Sequence, residues 1–147
     1  MTLSRQALCA VYALIGITAL ITTWANVLGA VQHYGFWEGT VRFWQDTLVN
    51  ESSRFITIDL LFFGLTVIVW MVLEARRLAM PGVWIYVVAG LLIAISLTVP
   101  LFMIQRERTL ARLESGTPAG HLAAGDLAGL IALAAVSLAY AVIALSR

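Results

Sequence analysis

The chain has 147 residues, of which 61% are hydrophobic and only 12% charged, and its formal net charge is +1. Soluble proteins carry a charge on about a quarter of their residues, and a domain of this length cannot bury so much apolar side chain within itself. The composition therefore excludes an ordinary soluble globule and predicts a protein embedded in lipid. The small net charge also offers no basic field for nucleic acid.

Four long intervals with few or no charges predict membrane-spanning helices. A helix needs about 20 apolar residues to cross a bilayer, and each interval is long enough. None shows the alternating pattern of a membrane β-strand. We therefore expect one all-α integral membrane domain, a four-transmembrane-helix bundle, with spans at about residues 7–30, 55–73, 82–104 and 126–146.

The segment at about residues 36–49, between the first two spans, has the pattern of a short amphipathic helix. Trp37, Val41, Trp44 and Leu48 recur at helical spacing and form one apolar stripe. Such a helix would lie in the membrane interface. The same stripe could instead dock another subunit, since Trp is a typical anchor of protein interfaces.

An even number of spans places both termini on one side of the membrane. That side holds Arg5, Arg76 and Arg77 close to the helix ends, whereas Arg106 and Arg108 fall on the opposite side in a longer loop. The density of arginine beside the helix ends therefore predicts, by the positive-inside rule, that both termini are cytoplasmic.

Asp59 is the only charge in the second span. With a rise of about 1.5 Å per residue, it lies roughly 7 Å inside the boundary set by Arg54. Acids within a membrane usually face the bundle interior and pair. Antiparallel spans place Asn26, Ser96 and Arg106 at a similar depth, so we expect an ion pair with Arg106 and hydrogen bonds from Asn26 and Ser96.

Aromatic residues share the helix face of Asp59. The face contains Phe62, Phe63, Thr66 and Trp70, at three, four, seven and eleven residues beyond the acid. In one interpretation, Asp59 is a structural pin that fixes helix packing through its ion pair. In the other, it is a shielded acid that protonates or binds a substrate from the lipid phase.

Small residues recur where helices could pack closely. Gly90, Ala94 and Thr98 are spaced four apart in the third span, and Gly125 and Gly129 form a GxxxG pattern at the head of the fourth. Small residues let helix backbones approach where lipid offers no hydrophobic drive for association. These faces could join helices of one chain or of two copies.

No complete catalytic or metal-binding set is recognisable. The sequence has no phosphate loop, nucleophile elbow or HExxH motif. His33 and His121 have no ligand spacing, so we expect no metal. We also expect no cofactor, although a lipid or isoprenoid ligand is compatible with the aromatic face.

Four short motifs occur in order within residues 54–108: IDLLFF, EARR, WIY and PLFMIQRE. Together they resemble a bacterial family of small multi-pass membrane proteins known only as domain of unknown function 2834, which has a leucine where this chain has Met103. The resemblance implies the bacterial cytoplasmic (inner) membrane and no particular reaction. It also implies that certain positions matter most: Asp59, Glu74, Arg76, Arg77, Trp84, Tyr86, Pro100, Arg106 and Glu107.

Three functions are compatible with these features. We favour a non-enzymatic protein that forms homo-oligomers or is an accessory subunit of a membrane complex, with a buried polar cluster centred on Asp59. The alternative is a lipid-phase enzyme or binder of an isoprenoid, quinone or carotenoid, with Asp59 as general acid and the aromatic rings stabilising a developing cation. A small channel or transporter with Asp59 as its selectivity charge is less favoured.

Overall fold

The computed structural model describes residues 3–113 and, beyond them, only positions 128, 131 and 135. Apart from those three helical positions, the predicted fourth span lies outside the described residues. Within residues 3–113 the secondary structure is entirely helical. The elements are α1 (Leu3–Tyr34), α2 (Phe36–Asp46), α3 (Glu51–Arg77), α4 (Val83–Ala89), a π-helical segment (Gly90–Ala94) and α5 (Ile95–Leu113).

Three helical stretches are long and apolar enough to cross a membrane: Leu3–Tyr34, Glu51–Arg77 and the continuous stretch Val83–Leu113. At most 22% of the most apolar window of each is buried within the molecule. Such extensive apolar surface on the outside is typical of helices solvated by lipid. Within the described residues, the predicted all-helical fold with helices able to span a membrane is confirmed, while the number of spans and the interfacial location of α2 stay predictions.

Two glycines allow α2 to fold back along α1. Gly35, between the helices, has a φ of +78°, which lies in the left-handed region that favours glycine. Gly39 then lies directly against the α1 backbone. A Cβ atom at this position would be only 2.9 Å from the carbonyl oxygen of Ala30 and 3.0 Å from the Cα of Val31. The two helices therefore form a closely packed hairpin.

The described residues have one hydrophobic core, at the end of the bundle where α3 finishes. Its buried members come from the last turns of α3, the following turn, α4 and α5: Met71, Ala75, Leu78, Met80, Val83 and Phe102. The Phe102 ring is fully buried, with its edge or face against the rings of Trp70 and Tyr86. The aromatic packing thus joins three helices at one point.

The helical stretch that contains α4 and α5 bends back on itself. The ring centroids of Tyr86 and Phe102 are 5.8 Å apart, although a straight helix would separate two residues sixteen apart by about 24 Å. Near the bend, a Cβ atom on Gly90 would be 2.7 Å from the Thr98 hydroxyl. The bend coincides with the π-helical segment, and π-helical turns are a recognised cause of sharp helix kinks.

This bend makes α5 run parallel to α3. Three contacts between them keep an offset of 31 or 32 residues: Gly64 with Ile95, Trp70 with Phe102, and Glu74 with Arg106. The antiparallel register expected between the second span and residues 82–104 is therefore wrong. That register assumed one straight helix, whereas α4 returns along the core before α5 begins.

The first helix is antiparallel to α5. The indole of Trp24 donates a hydrogen bond of 3.1 Å to the carbonyl of Ile93, and Gly16 lies against Leu97 and Pro100. With α3 parallel to α5, this arrangement places the start of α1 and the ends of α3 and α5 together. The α1–α2 hairpin and the start of α3 lie at the opposite end.

Replacement of Gly90 by alanine should destabilise the bend. The new methyl group would overlap the buried Thr98 hydroxyl, and overpacking of this kind costs about 1–3 kcal/mol of unfolding free energy. Gly90→Ala should therefore lower the unfolding midpoint followed by circular dichroism in detergent, and Thr98→Ala in the same chain should restore it. Gly29→Ala is the matched control, because no atom lies within 4 Å of its new Cβ. Equal effects of the two alanines would contradict the bend.

Single-cysteine labelling should place residues 3 and 113 on the same side of the membrane. In a Cys9→Ser background, Leu3→Cys and Leu113→Cys should react with an impermeant maleimide from one side, and Val49→Cys from the other, because α5 leaves the bundle where α1 begins. All three positions are well exposed. If position 113 reacted together with position 49, residues 83–113 would instead cross the membrane as a single span.

Candidate functional site

A group of buried charged side chains lies beside the hydrophobic core, where α3 and α5 end together. Glu74 belongs to α3 and Glu107 to α5, and they are only 8% and 5% exposed. Arg5, at the start of α1, is also buried here, at 4% exposed. Burial of a charge is costly unless it is paired and hydrogen-bonded, so the partners of the two glutamates define this site.

The Glu74 carboxylate accepts hydrogen bonds from two arginines. Arg77, one turn later in α3, donates from Nε to Oε2 and from Nη2 to Oε1, both at 2.7 Å. Arg106 of α5 donates from Nε to Oε1, also at 2.7 Å. The Arg106 Nη1 group donates a further bond of 2.8 Å to Glu107. Arg106 therefore bridges two buried carboxylates, one on each of two parallel helices.

This arrangement suits a structural role better than a catalytic one. Both oxygens of Glu74 accept charge-assisted hydrogen bonds, which favour the ionised carboxylate. An acid held in this way is a poor source or acceptor of protons. The guanidinium of Arg106 instead fixes the height of α5 against α3 through its bond to Glu74, while its bond to Glu107 holds the guanidinium in place on α5.

Asp59 lies far from this group, about 22 Å nearer the start of α3. It is exposed, and within residues 3–113 it makes no hydrogen bond or ion pair. The predicted pairing of Asp59 with Arg106 is therefore wrong. Because α5 is parallel to α3, Arg106 lies level with Glu74, and the buried polar cluster among the described residues centres on Glu74 instead of Asp59.

The aromatic residues predicted to line a groove with Asp59 lie on the outer surface of α3. Phe62 and Phe63 are 67% and 64% exposed. Thr66 is also exposed, and its hydroxyl donates to the Phe62 carbonyl at 3.0 Å. Trp70 differs, because its ring contacts Phe102 of the core. The described helices therefore present this set as an open face.

The other two predicted site residues lie apart from each other. Asn26 is exposed on α1, where its amide donates a 2.7 Å bond to the Thr22 carbonyl. Ser96 is half-buried in the first turn of α5. The structure thus brings Arg106, of all the predicted residues, into a buried ionic group, and leaves Asp59 and Asn26 on outer surfaces.

The spacing of residues did not predict Glu74, Arg77 or Glu107 as part of the site, although all three lie in two of the four short motifs. Glu74 and Arg77 are three apart in EARR, a spacing that places them on one side of a helix, and Arg106 and Glu107 end the motif PLFMIQRE. The resemblance already marked all four positions. The sequence does not show that α3 and α5 are parallel, and it is this register that brings EARR and PLFMIQRE together.

No metal site is formed by the part of the chain that is described. Within it, no group of three or more His, Cys, Asp or Glu side chains could hold a metal ion. His33 lies at the end of α1, whereas His121 falls outside the described residues.

The described chain is a helical fold with three stretches long and apolar enough to cross a membrane. The model of the family described as "Protein of unknown function DUF2834" matches residues 11–108, well over half of the chain. The protein belongs to that family, so the resemblance seen in residues 54–108 is confirmed and extends over most of α1 and all of α2. No curated protein and no solved structure matches the chain.

Loss of the bond between Glu74 and Arg106 should destabilise the protein. Arg106→Gln should cost about 2 kcal/mol of unfolding free energy, below the 3–5 kcal/mol typical of breaking a fully buried pair, because the Arg106 side chain is 23% exposed. Denaturant titration in detergent measures it. Arg77→Gln is the matched control and should cost under about 1 kcal/mol, since the Arg77 side chain is 61% exposed. Equal losses of unfolding free energy in the two variants would mean that the bond between α3 and α5 stabilises the protein no more than the exposed pair does.

Proposed function

We propose that the protein is an assembly subunit of the membrane, which associates laterally with further copies of itself through the face of α3 that carries Asp59. The observation that carries this proposal is the exposure of Asp59 on an otherwise apolar helix surface. The part of α3 that contains Asp59 is bare, whereas the last turns of the same helix are packed in the core.

The energetic argument starts from the surroundings of Asp59. It is the only ionisable side chain between Arg54 and Glu74, and α3 is long and apolar enough to cross a bilayer. An aspartate at the bilayer centre costs about 2.5–3.5 kcal/mol to insert, and one as shallow as Asp59 costs less; such residues normally face protein and find a partner. Residues 3–113 supply none, and we infer that a neighbouring copy provides the hydrogen-bond donor.

A second copy would offer Asn26 at the required depth. Trp24 contacts Ile93 and Gly64 contacts Ile95, so these parts of α1 and α3 have nearly the same height in the bundle. Asn26 and Asp59 both lie further toward the α2 end, and their heights agree to within about one helical turn of 5.4 Å. Two copies inserted in the same orientation could therefore place Asn26 of one beside Asp59 of the other.

The surface around Asn26 is suited to close helix contact. One helix face of α1 contains small and polar residues: Ala19, Thr22, Thr23, Asn26 and Gly29. Such residues let two backbones approach in lipid and provide hydrogen bonds between helices. One N–H of the Asn26 amide is bonded to Thr22, which leaves the other available to an incoming carboxylate. A contact between α1 and α3 of successive copies is head-to-tail, and such contacts form a ring when the rotation between copies closes.

The position of α2 is consistent with this arrangement. Its close-packed residue, Gly39, faces α1, whereas Trp37, Val41, Trp44 and Leu48 are all at least half exposed. We infer that this stripe lies in the membrane interface, where tryptophan side chains are favoured. The lateral faces of α1 and α3 then remain accessible to neighbouring copies.

The exposed setting of Asp59 supports docking over lipid-phase catalysis. A general acid needs a site that orients its substrate and excludes competing reactions. Phe62 and Phe63 instead lie more than half exposed on an open helix face. The same openness gives no support to a selectivity filter, which requires polar groups around a pore.

Replacement of Asp59 should weaken self-association without unfolding the chain. Co-purification of two differently tagged copies from mixed detergent micelles would measure the association. Asp59→Leu should reduce it about 3- to 30-fold, the range expected for the loss of an interhelical hydrogen bond of ~0.6–2 kcal/mol. The matched control is Glu51→Gln, which removes an exposed acid from the first turn of α3.

Asn26→Leu tests the other half of the same contact. Its effect should equal that of Asp59→Leu, and the double variant should be no weaker than either single variant, because residues in contact are not additive. Unchanged co-purification of Asp59→Leu would exclude this docking face. A lower unfolding midpoint of Asp59→Leu in monomeric micelles would indicate a pin within one chain instead.

A further inference from the structure

We propose that the end of the bundle where α1 begins and α3 and α5 finish binds the headgroups of anionic phospholipids, through the exposed side chains of Arg76, Arg108 and Arg112. The partner is an anionic lipid of the cytoplasmic leaflet. This inference is independent of the association between copies, since it concerns the other end of the helices.

The arginines of the described chain are strongly polarised along the bundle. Six lie at the end with the Glu74 group: Arg5, Arg76, Arg77, Arg106, Arg108 and Arg112. Two described glutamates, Glu74 and Glu107, accompany them, so six positive and two negative charges leave +4. The other end has Arg42 and Arg54 with Glu38, Asp46, Glu51 and Asp59, which leaves −2. The bend between α4 and α5 creates this polarity, because it brings the end of α5 to this side.

Three of these arginines are available to a ligand. Both described glutamates at this end are buried and bonded to Arg106, and Glu74 also to Arg77. Arg76, Arg108 and Arg112 are exposed, and within residues 3–113 no carboxylate pairs with them. An arginine guanidinium has a planar set of donors that matches two phosphate oxygens.

The three side chains lie at the height expected for a headgroup layer. The offset of 32 residues between α3 and α5 puts Arg76 level with Arg108. Arg112 is one turn further on the same face of α5 as Arg108, so all three fall within about 6 Å along the bundle axis. Leu101, exposed two turns before Arg108 on that face, continues it as apolar surface for an acyl chain.

The same charges set the orientation of the bundle. Arginine-rich ends remain in the cytoplasm, and the cytoplasmic leaflet carries the negative surface potential that attracts basic residues beside a helix. The start of α1 is then cytoplasmic, as its own arginine indicates. The three arginines therefore face the leaflet whose headgroups match their charge.

Native mass spectrometry of the full chain in detergent, titrated with phosphatidylglycerol or phosphatidylcholine, tests this proposal. We expect retention of phosphatidylglycerol over phosphatidylcholine, and its apparent affinity should fall about fivefold for each arginine removed in Arg108→Gln plus Arg112→Gln. The matched control, Arg42→Gln plus Arg54→Gln, removes two arginines from the opposite end and should leave it unchanged. Circular dichroism melting of both variants verifies that they are folded.

Three results would overturn the proposal. Equal weakening by the two double variants would show a general effect of net charge. Unchanged affinity of the Arg108 and Arg112 variant would show that the lipid binds elsewhere. Displacement of phosphatidylglycerol by an equimolar amount of inorganic phosphate would show a site for the free anion and not for the lipid. Partial recovery of affinity when Arg108 and Arg112 are replaced by lysine would support it, because lysine keeps the charge but not the planar set of donors.

Discussion

The sharp bend between α4 and α5 is the constraint on which the rest of the described structure depends. Because the chain turns back at residues 90–94, α4 packs into the core and α5 runs parallel to α3. Gly90 permits the close approach, since any larger side chain would meet the Thr98 hydroxyl. Backbone groups freed by a bend in lipid need new partners, and the Trp24 indole supplies one to the carbonyl of Ile93. The first helix is thereby attached to the bend.

The ionic group follows directly from that geometry. Only in a parallel register do Glu74 and Arg106 meet at 2.7 Å, beside a core formed around Phe102. Bringing charges into this position is costly, and the pairing mainly offsets that cost, so the group specifies a register more than it adds stability. A shift of one helical turn between α3 and α5 would leave a buried charge without its partner. The hydrophobic contacts alone would discriminate against such a shift much less strongly.

Hydropathy was sufficient to predict the helices but not the path of the chain between them. The charge-free intervals located α1 and α3, and the Trp37–Leu48 spacing located α2, which forms at Phe36–Asp46. A lipid-facing helix is apolar on most of its surface, so its periodicity contains little information about which side packs against protein. The strongest breaker in the third apolar interval is Pro100, yet Pro100 lies inside α5 and the bend occurs at Gly90. The sequence marked Gly90 only as one of several small residues.

The same limitation explains the outcome for Asp59 and Glu74, two of the three acids of α3. Asp59 attracts attention because it interrupts an apolar interval, whereas Glu74 looks like an ordinary charge at a helix end. The structure reverses their surroundings: Glu74 is buried and bonded to two arginines, and Asp59 is exposed. Glu74 shows that this chain can bury a carboxylate when it also provides arginine partners for it. Asp59, one third of the way along α3 on a bare apolar face, makes no such bond within residues 3–113, and this is the observation on which the proposed contact between copies rests.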